Sequence, residues 1–152
     1  MTLIQDILAN KLLVCAVAGW CIAQILKTLL HMFVTKKFVV ERLVGSGGMP
    51  SSHSATVSAL ATAACIEYGL QSAAFAISLI LAVIVMYDAR GVRRETGKQA
   101  KVLNEMLEIF CNTHSDMSPQ DRLKEFIGHT PLQVLAGAIL GILIATLLCT
   151  VL

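Results

Sequence analysis

Four long apolar blocks decide what this chain can become. They cover residues 12–33, 54–70, 72–87 and 131–152. Each is near the ~20 residues that carry a helix across bilayer hydrocarbon, the second and third being somewhat short. In lipid every backbone N–H and C=O needs a partner within the protein, and a helix supplies those partners segment by segment. With 56% hydrophobic and 14% charged residues and a mean hydropathy of +0.73, a soluble domain is excluded. The expected fold is all-α: a polytopic helical membrane bundle of about four transmembrane helices, one integral membrane domain over residues 1–152. The second and third blocks are joined only by Tyr68-Gly69-Leu70-Gln71, which predicts a tight helical hairpin.

The one long polar stretch is residues 88–129. Within it Val102, Leu103, Met106, Leu107 and Phe110 recur at i, i+3/i+4 spacing, which predicts an amphipathic helix in the third loop, lying on the membrane surface or capping the bundle. A loop over 112–117 and a short helix from a Ser118 cap to Gly128 are expected after it. Met1 to Asn10 carries Asp6 and no basic segment, unlike a cleavable signal peptide.

The net charge of +2 is small, but its placement is informative. Four spans put the N-terminus, the hairpin and the C-terminus on one side, which holds only Lys11. The other side holds Lys36, Lys37, Arg42, Arg90, Arg93, Arg94, Lys98, Lys101, Arg122 and Lys124. The positive-inside rule places both polar loops in the cytoplasm. No basic stripe is interleaved with aromatics, so nucleic acid is not an expected partner. The five cysteines show no metal-ligand spacing, and no metal site is expected.

Three constellations share the basic face. Gly45-Ser46-Gly47-Gly48-Met49-Pro50-Ser51-Ser52-His53-Ser54 is a glycine-rich loop running into a helix start. Close backbone approach and free N–H groups at a helix N-terminus favour a phosphate there; a Ser N-cap on an ordinary loop is the structural alternative. Asp88-Ala89-Arg90-Gly91-Val92-Arg93-Arg94 brings an acid and an arginine pair to the end of the third span. Those arginines either anchor the helix to head groups or grip a phosphate. In Gly128-His129-Thr130-Pro131-Leu132-Gln133, Thr130, Pro131 and Gln133 fit N-cap, N1 and N3 of a capping box. His129 precedes that helix start as His53 opens the other. Two histidines at helix starts, a glycine loop and arginines make a phosphoryl-transfer set, which requires the two rings to lie within about 10 Å of each other. His31 and His114 read as interface and solvent residues. Gly137-xxx-Gly141 is a small-xxx-small motif that serves either packing inside the bundle or dimerisation.

These residues resemble a known family. MPSSHS and GHTPLQVLAGAILG look like the second and third signatures of the type-2 phosphatidic acid phosphatase superfamily, which includes the vanadium haloperoxidases. GGMPSSHSA, DARGVRRETGKQA and GHTPLQVLAGA together resemble its small divergent bacterial and plant branch, over residues 24–141. The resemblance implies that His129 is the nucleophile forming a phosphohistidine and that His53 protonates the leaving alkoxide. Ser51, Ser52, Gly48, Arg93, Arg94 and Lys27 then become candidate phosphate-binding residues. Gln133 occupies the place of the family acid that orients the nucleophile, and Asp88 or Glu125 is a candidate substitute. Ser52 stands for the family glycine, and the family's Ser-Arg pair is absent: position 123 is Leu, Arg122 lies one step off, and Arg93 or Arg94 is the candidate to take its place. The implied protein is a phosphatase of a lipid phosphomonoester or diphosphate in a bacterial cell membrane, without metal or organic cofactor, and a homodimer is a candidate assembly. The alternative is a non-catalytic membrane protein that binds or translocates a phospholipid head group.

Overall fold

The computed structural model describes residues 3–36, 48–113 and 130–151. These residues form six helices in order: α1 Leu3–Ala9, α2 Lys11–Thr35, α3 Ser52–Tyr68, α4 Ala73–Arg90, α5 Val92–Thr113 and α6 Pro131–Val151. No strand occurs among the described residues. Local chemistry sets the boundaries. Asn10 caps α2 by accepting the Leu13 N–H at 3.2 Å. Ser51 caps α3 and Ser72 caps α4 in the same way. Gly69, at a φ of +80°, turns the chain out of α3.

The packing order is that of a membrane protein. Buried positions are small or polar: Ala16, Ala23, Ala55, Ala59, Ala63, Ala82 and Ala145, with Ser54, Ser58 and Ser78. The largest side chains that are wholly buried are Cys15, Ser51 and Ser54, whereas Ile25, Ile80, Ile84, Leu143 and Leu147 are exposed. Such an arrangement would leave a very large apolar surface in water. In lipid it is the expected one, because close helix contact, not hydrophobic burial, holds the bundle together.

α3 is the hub, packed against α2, α4 and α6. At 17 residues it is about 26 Å long, shorter and more polar than its neighbours, and they shield it. Among the described residues three stretches are long and apolar enough to cross a membrane alone: Lys11–Thr35, Ala73–Ile109 and Pro131–Val151. α2 runs antiparallel to α3: Lys27 meets Ser52, Gly19 lies at Ala55 and Ala59, and Lys11 pairs with Glu67 at 3.1 Å. α6 runs parallel to α3, with Gly137 at Ser51 and Gly141 at Ala55. A Cβ on Gly137 would collide with Ser51 O, and one on Gly141 with Ala55 O. The small-xxx-small motif, left open by the sequence, is thus consumed inside the bundle.

The amphipathic helix of the third loop starts earlier than its periodicity suggests. α5 begins at Val92, directly after Gly91, and continues through Thr113. Arg93 and Arg94 therefore stand in its first turn, and residues 112 and 113, expected in a loop, are helical. Gly91 N–H still bonds to Tyr87 O at 2.9 Å, so α4 passes into α5 with little interruption. Val102, Leu103, Met106 and Ile109 form an exposed apolar stripe on α5. The loop over 114–117, His114 and the expected helix over 118–128 lie outside the described residues.

Candidate phosphate site at the start of helix α3

The direction of each helix brings the end of α2 and the starts of α3 and α6 to one end of the bundle. At the centre of that end is Lys27, only 2% exposed. Its ammonium donates to Gln24 Oε1 at 2.8 Å and lies 3.4 Å from Ser52 Oγ. Thr28 Oγ1 donates to Gln24 O at 2.8 Å, and Gln24 and Thr28 are buried as well. An ionisable group inside a membrane bundle is costly and marks a functional site by default.

Facing this cation is the first turn of α3. Ser51 is wholly buried, and its Oγ accepts from Ser54 N at 3.4 Å and from Ser54 Oγ at 3.1 Å. Ser52 lies in the same turn, also buried. Gly48, at a φ of +87°, is a position that favours glycine. His53 is half-buried, with its Nδ1 closed off from solvent. A helix N-terminus beside a buried ammonium concentrates N–H dipoles and one full positive charge in a small volume. That combination suits an anion.

The start of α6 is stitched to this turn. Ser51 N–H donates to Gln133 O at 3.0 Å. The capping box is present: Gln133 N–H lies 3.3 Å from Thr130 Oγ1, and Thr130 N–H donates to Gln133 Oε1 at 2.9 Å. The Gln133 side chain is thus occupied in holding the turn that follows His129. His129 itself and Glu125 lie outside the described residues, as do Lys37 and Arg42. Arg93 and Arg94 are placed by their backbone, in the first turn of α5. Asp88, half-buried, is two residues from the end of α4, at the same end of the bundle as His53.

The sequence alone assigns Gln24 no role. The signal was present: Gln24, Lys27 and Thr28 fall at i, i+3 and i+4, one polar face within an apolar helix. His31 is half-buried near the end of α2, with Nδ1 3.3 Å from Thr35 Oγ1.

Fold and packing define an integral membrane protein, a helical bundle with polar groups gathered at one end of its central helix. Its sequence is specific enough to place it further. The chain belongs to the divergent PAP2 family, whose model matches residues 8–144. It is 40% identical over 153 residues to the uncharacterized membrane protein YuiD of Bacillus subtilis (strain 168), an alignment that covers 95% of this chain and 97% of that one. No solved structure matches it.

Proposed function

We propose that the protein is a membrane-embedded phosphatase that hydrolyses a lipid phosphomonoester or diphosphate through a phosphohistidine. The observation that carries this reading is the buried Lys27 ammonium at the N-terminal turn of α3, 3.4 Å from Ser52 Oγ. The ammonium, the Ser51 and Ser52 hydroxyls and the α3 N–H groups hold the phosphoryl oxygens. Arg93 and Arg94, in the first turn of α5, are the candidate guanidinium donors to it, and Gly48 lets the backbone approach. His129 attacks phosphorus as the bond to the lipid oxygen breaks, and His53 gives that oxygen a proton. Water then attacks the phosphohistidine, His53 takes back a proton, and inorganic phosphate leaves. Asp88 is the carboxylate available to orient or balance a histidine at this end of the bundle. Family membership supports the reading, and so does the Ser51–Gln133 bond, which ties the first turn of α3 to the helix that His129 precedes.

One observation favours a second reading, a protein that binds or moves a phospholipid head group without turnover. Gln133 replaces the family acid, and its Oε1 is occupied by the Thr130 N–H. The readings separate on trapping. Purified protein mixed with radiolabelled phosphatidic acid and quenched in base should carry an acid-labile, base-stable label, absent from His129→Ala. Tight phosphate or vanadate binding with no covalent label would establish the second reading. The charge distribution supports a cytoplasmic site: the loop side carries ten of the twelve Lys and Arg residues.

A further inference from the structure

We infer that the hydrocarbon chain of a phosphorylated lipid lies in a lateral groove between α2 and α4, floored by α3 and headed by His53. This rests on reading the α3 N-terminus as a phosphate site. Three faces of α3 are covered. Residues 51, 54 and 55 meet Gly137 and Gly141 of α6, and Ala55 and Ala59 meet Gly19 of α2. Val57 and Ala61 pack on Ala82 of α4. Every one of these α3 residues is buried, while His53, Thr56 and Leu60 are only half-buried. Those three recur at i, i+3 and i+7, a single stripe pointing away from all three neighbours. Among the described residues α2 and α4 share no packed interface that would close over it. The stripe is therefore open to the side.

The occupant follows from what lines the groove and where it leads. Thr56 turns its hydroxyl back to Ser52 O at 2.8 Å, which leaves its methyl for the groove. Leu60 continues the apolar floor, and Ala64, next on that face, is buried and ends it. From His53 to Leu60 the floor extends about 10 Å parallel to the helix axis. At its head are an imidazole and, in the same turn, the Ser52–Lys27 contact. An apolar stripe along the α3 axis, ending at an anion site, matches a lipid with its phosphate at the α3 start and its chain pointing along the helix towards mid-bilayer.

The test uses the full chain in phosphatidylcholine vesicles with phosphatidic acid, diacylglycerol or phosphatidylcholine carrying a mid-chain diazirine. His129→Ala protein is run in parallel so that the probe stays intact. After illumination, labelled residues are mapped by mass spectrometry. The α3 peptide holding Thr56 and Leu60 should take roughly tenfold more label from phosphatidic acid than from diacylglycerol, the effect of one charge-assisted contact. Lys27→Met should erase that preference, and Leu60→Trp, made at an already accessible position, should block the labelling. Leu143, on the outer face of α6, should label equally with all three probes. Equal labelling at Leu60 by every probe would reduce the groove to ordinary lipid contact and overturn the inference. A cross-link between two protein chains at Leu60 would overturn it in favour of a second copy. Selective labelling without phosphate release from the same vesicles would keep the groove and remove only the catalytic reading.

Discussion

Lys27 sits eight residues before the end of α2, roughly 12 Å along the helix axis, so its ammonium cannot be a surface anchor reaching for head groups. Replacing a buried charge by an apolar isostere is often neutral or stabilising. Lys27→Met should therefore leave thermal stability unchanged or raise it, while weakening vanadate or phosphate binding roughly 10- to 100-fold. A fall in both would make Lys27 a structural residue. Gln133 makes the opposite kind of contribution. Its side chain completes the cap of α6, so Gln133→Ala should cost about 1 kcal/mol of stability, read as a lowered melting temperature in detergent. The two residues also show what the sequence made legible. Thr130-Pro131-Leu132-Gln133 gave away its cap because capping is a local pattern. The use of Gln24 as the acceptor for Lys27 was not named, because a polar face inside an apolar block shows only that something polar is buried there.

At the scale of helices, α3 and α6 approach so closely that only glycine fits at two contacts. Gly137→Ala and Gly141→Ala should each destabilise the bundle by about 1–3 kcal/mol through overpacking. They should differ in function. A Cβ on Gly137 would collide with Ser51 O and come within 3.0 Å of Ser54 Cβ, within the candidate site, whereas one on Gly141 would press on Ala55 one turn deeper. At matched stability, Gly137→Ala should lose more phosphate binding than Gly141→Ala, as measured by titration with vanadate. Helix existence was readable from hydropathy, since α2, α4 and α6 fill apolar blocks with little ambiguity. The early start of α5 was not, because nothing polar in Val92–Lys101 forms a stripe; the helix there is continued from α4, with Gly91 still bonded to Tyr87 O. Nor could the sequence choose a partner for Gly137-xxx-Gly141, because a small stripe fits any close neighbour.

For the whole molecule, the order of helices puts the end of α2, the starts of α3 and α6 and the α4–α5 junction at one end and the 69–72 hairpin at the other. Cysteines introduced at Gln71 and Lys98 should therefore label with an impermeant maleimide from opposite sides of sealed vesicles; labelling from the same side would refute the topology. Charge asymmetry predicts this sidedness from the sequence because it depends on counting, not on packing. The lateral opening along His53, Thr56 and Leu60 was illegible, since it depends on which faces of α3 its neighbours leave uncovered. The most direct test of the phosphatase reading is phosphate release by the reconstituted protein from phosphatidic acid, phosphatidylglycerol phosphate and prenyl phosphates. At least one should be hydrolysed, and His53→Ala and His129→Ala should each lower the rate by about 100-fold or more. Release from none of them, or undiminished release by His129→Ala, would contradict it.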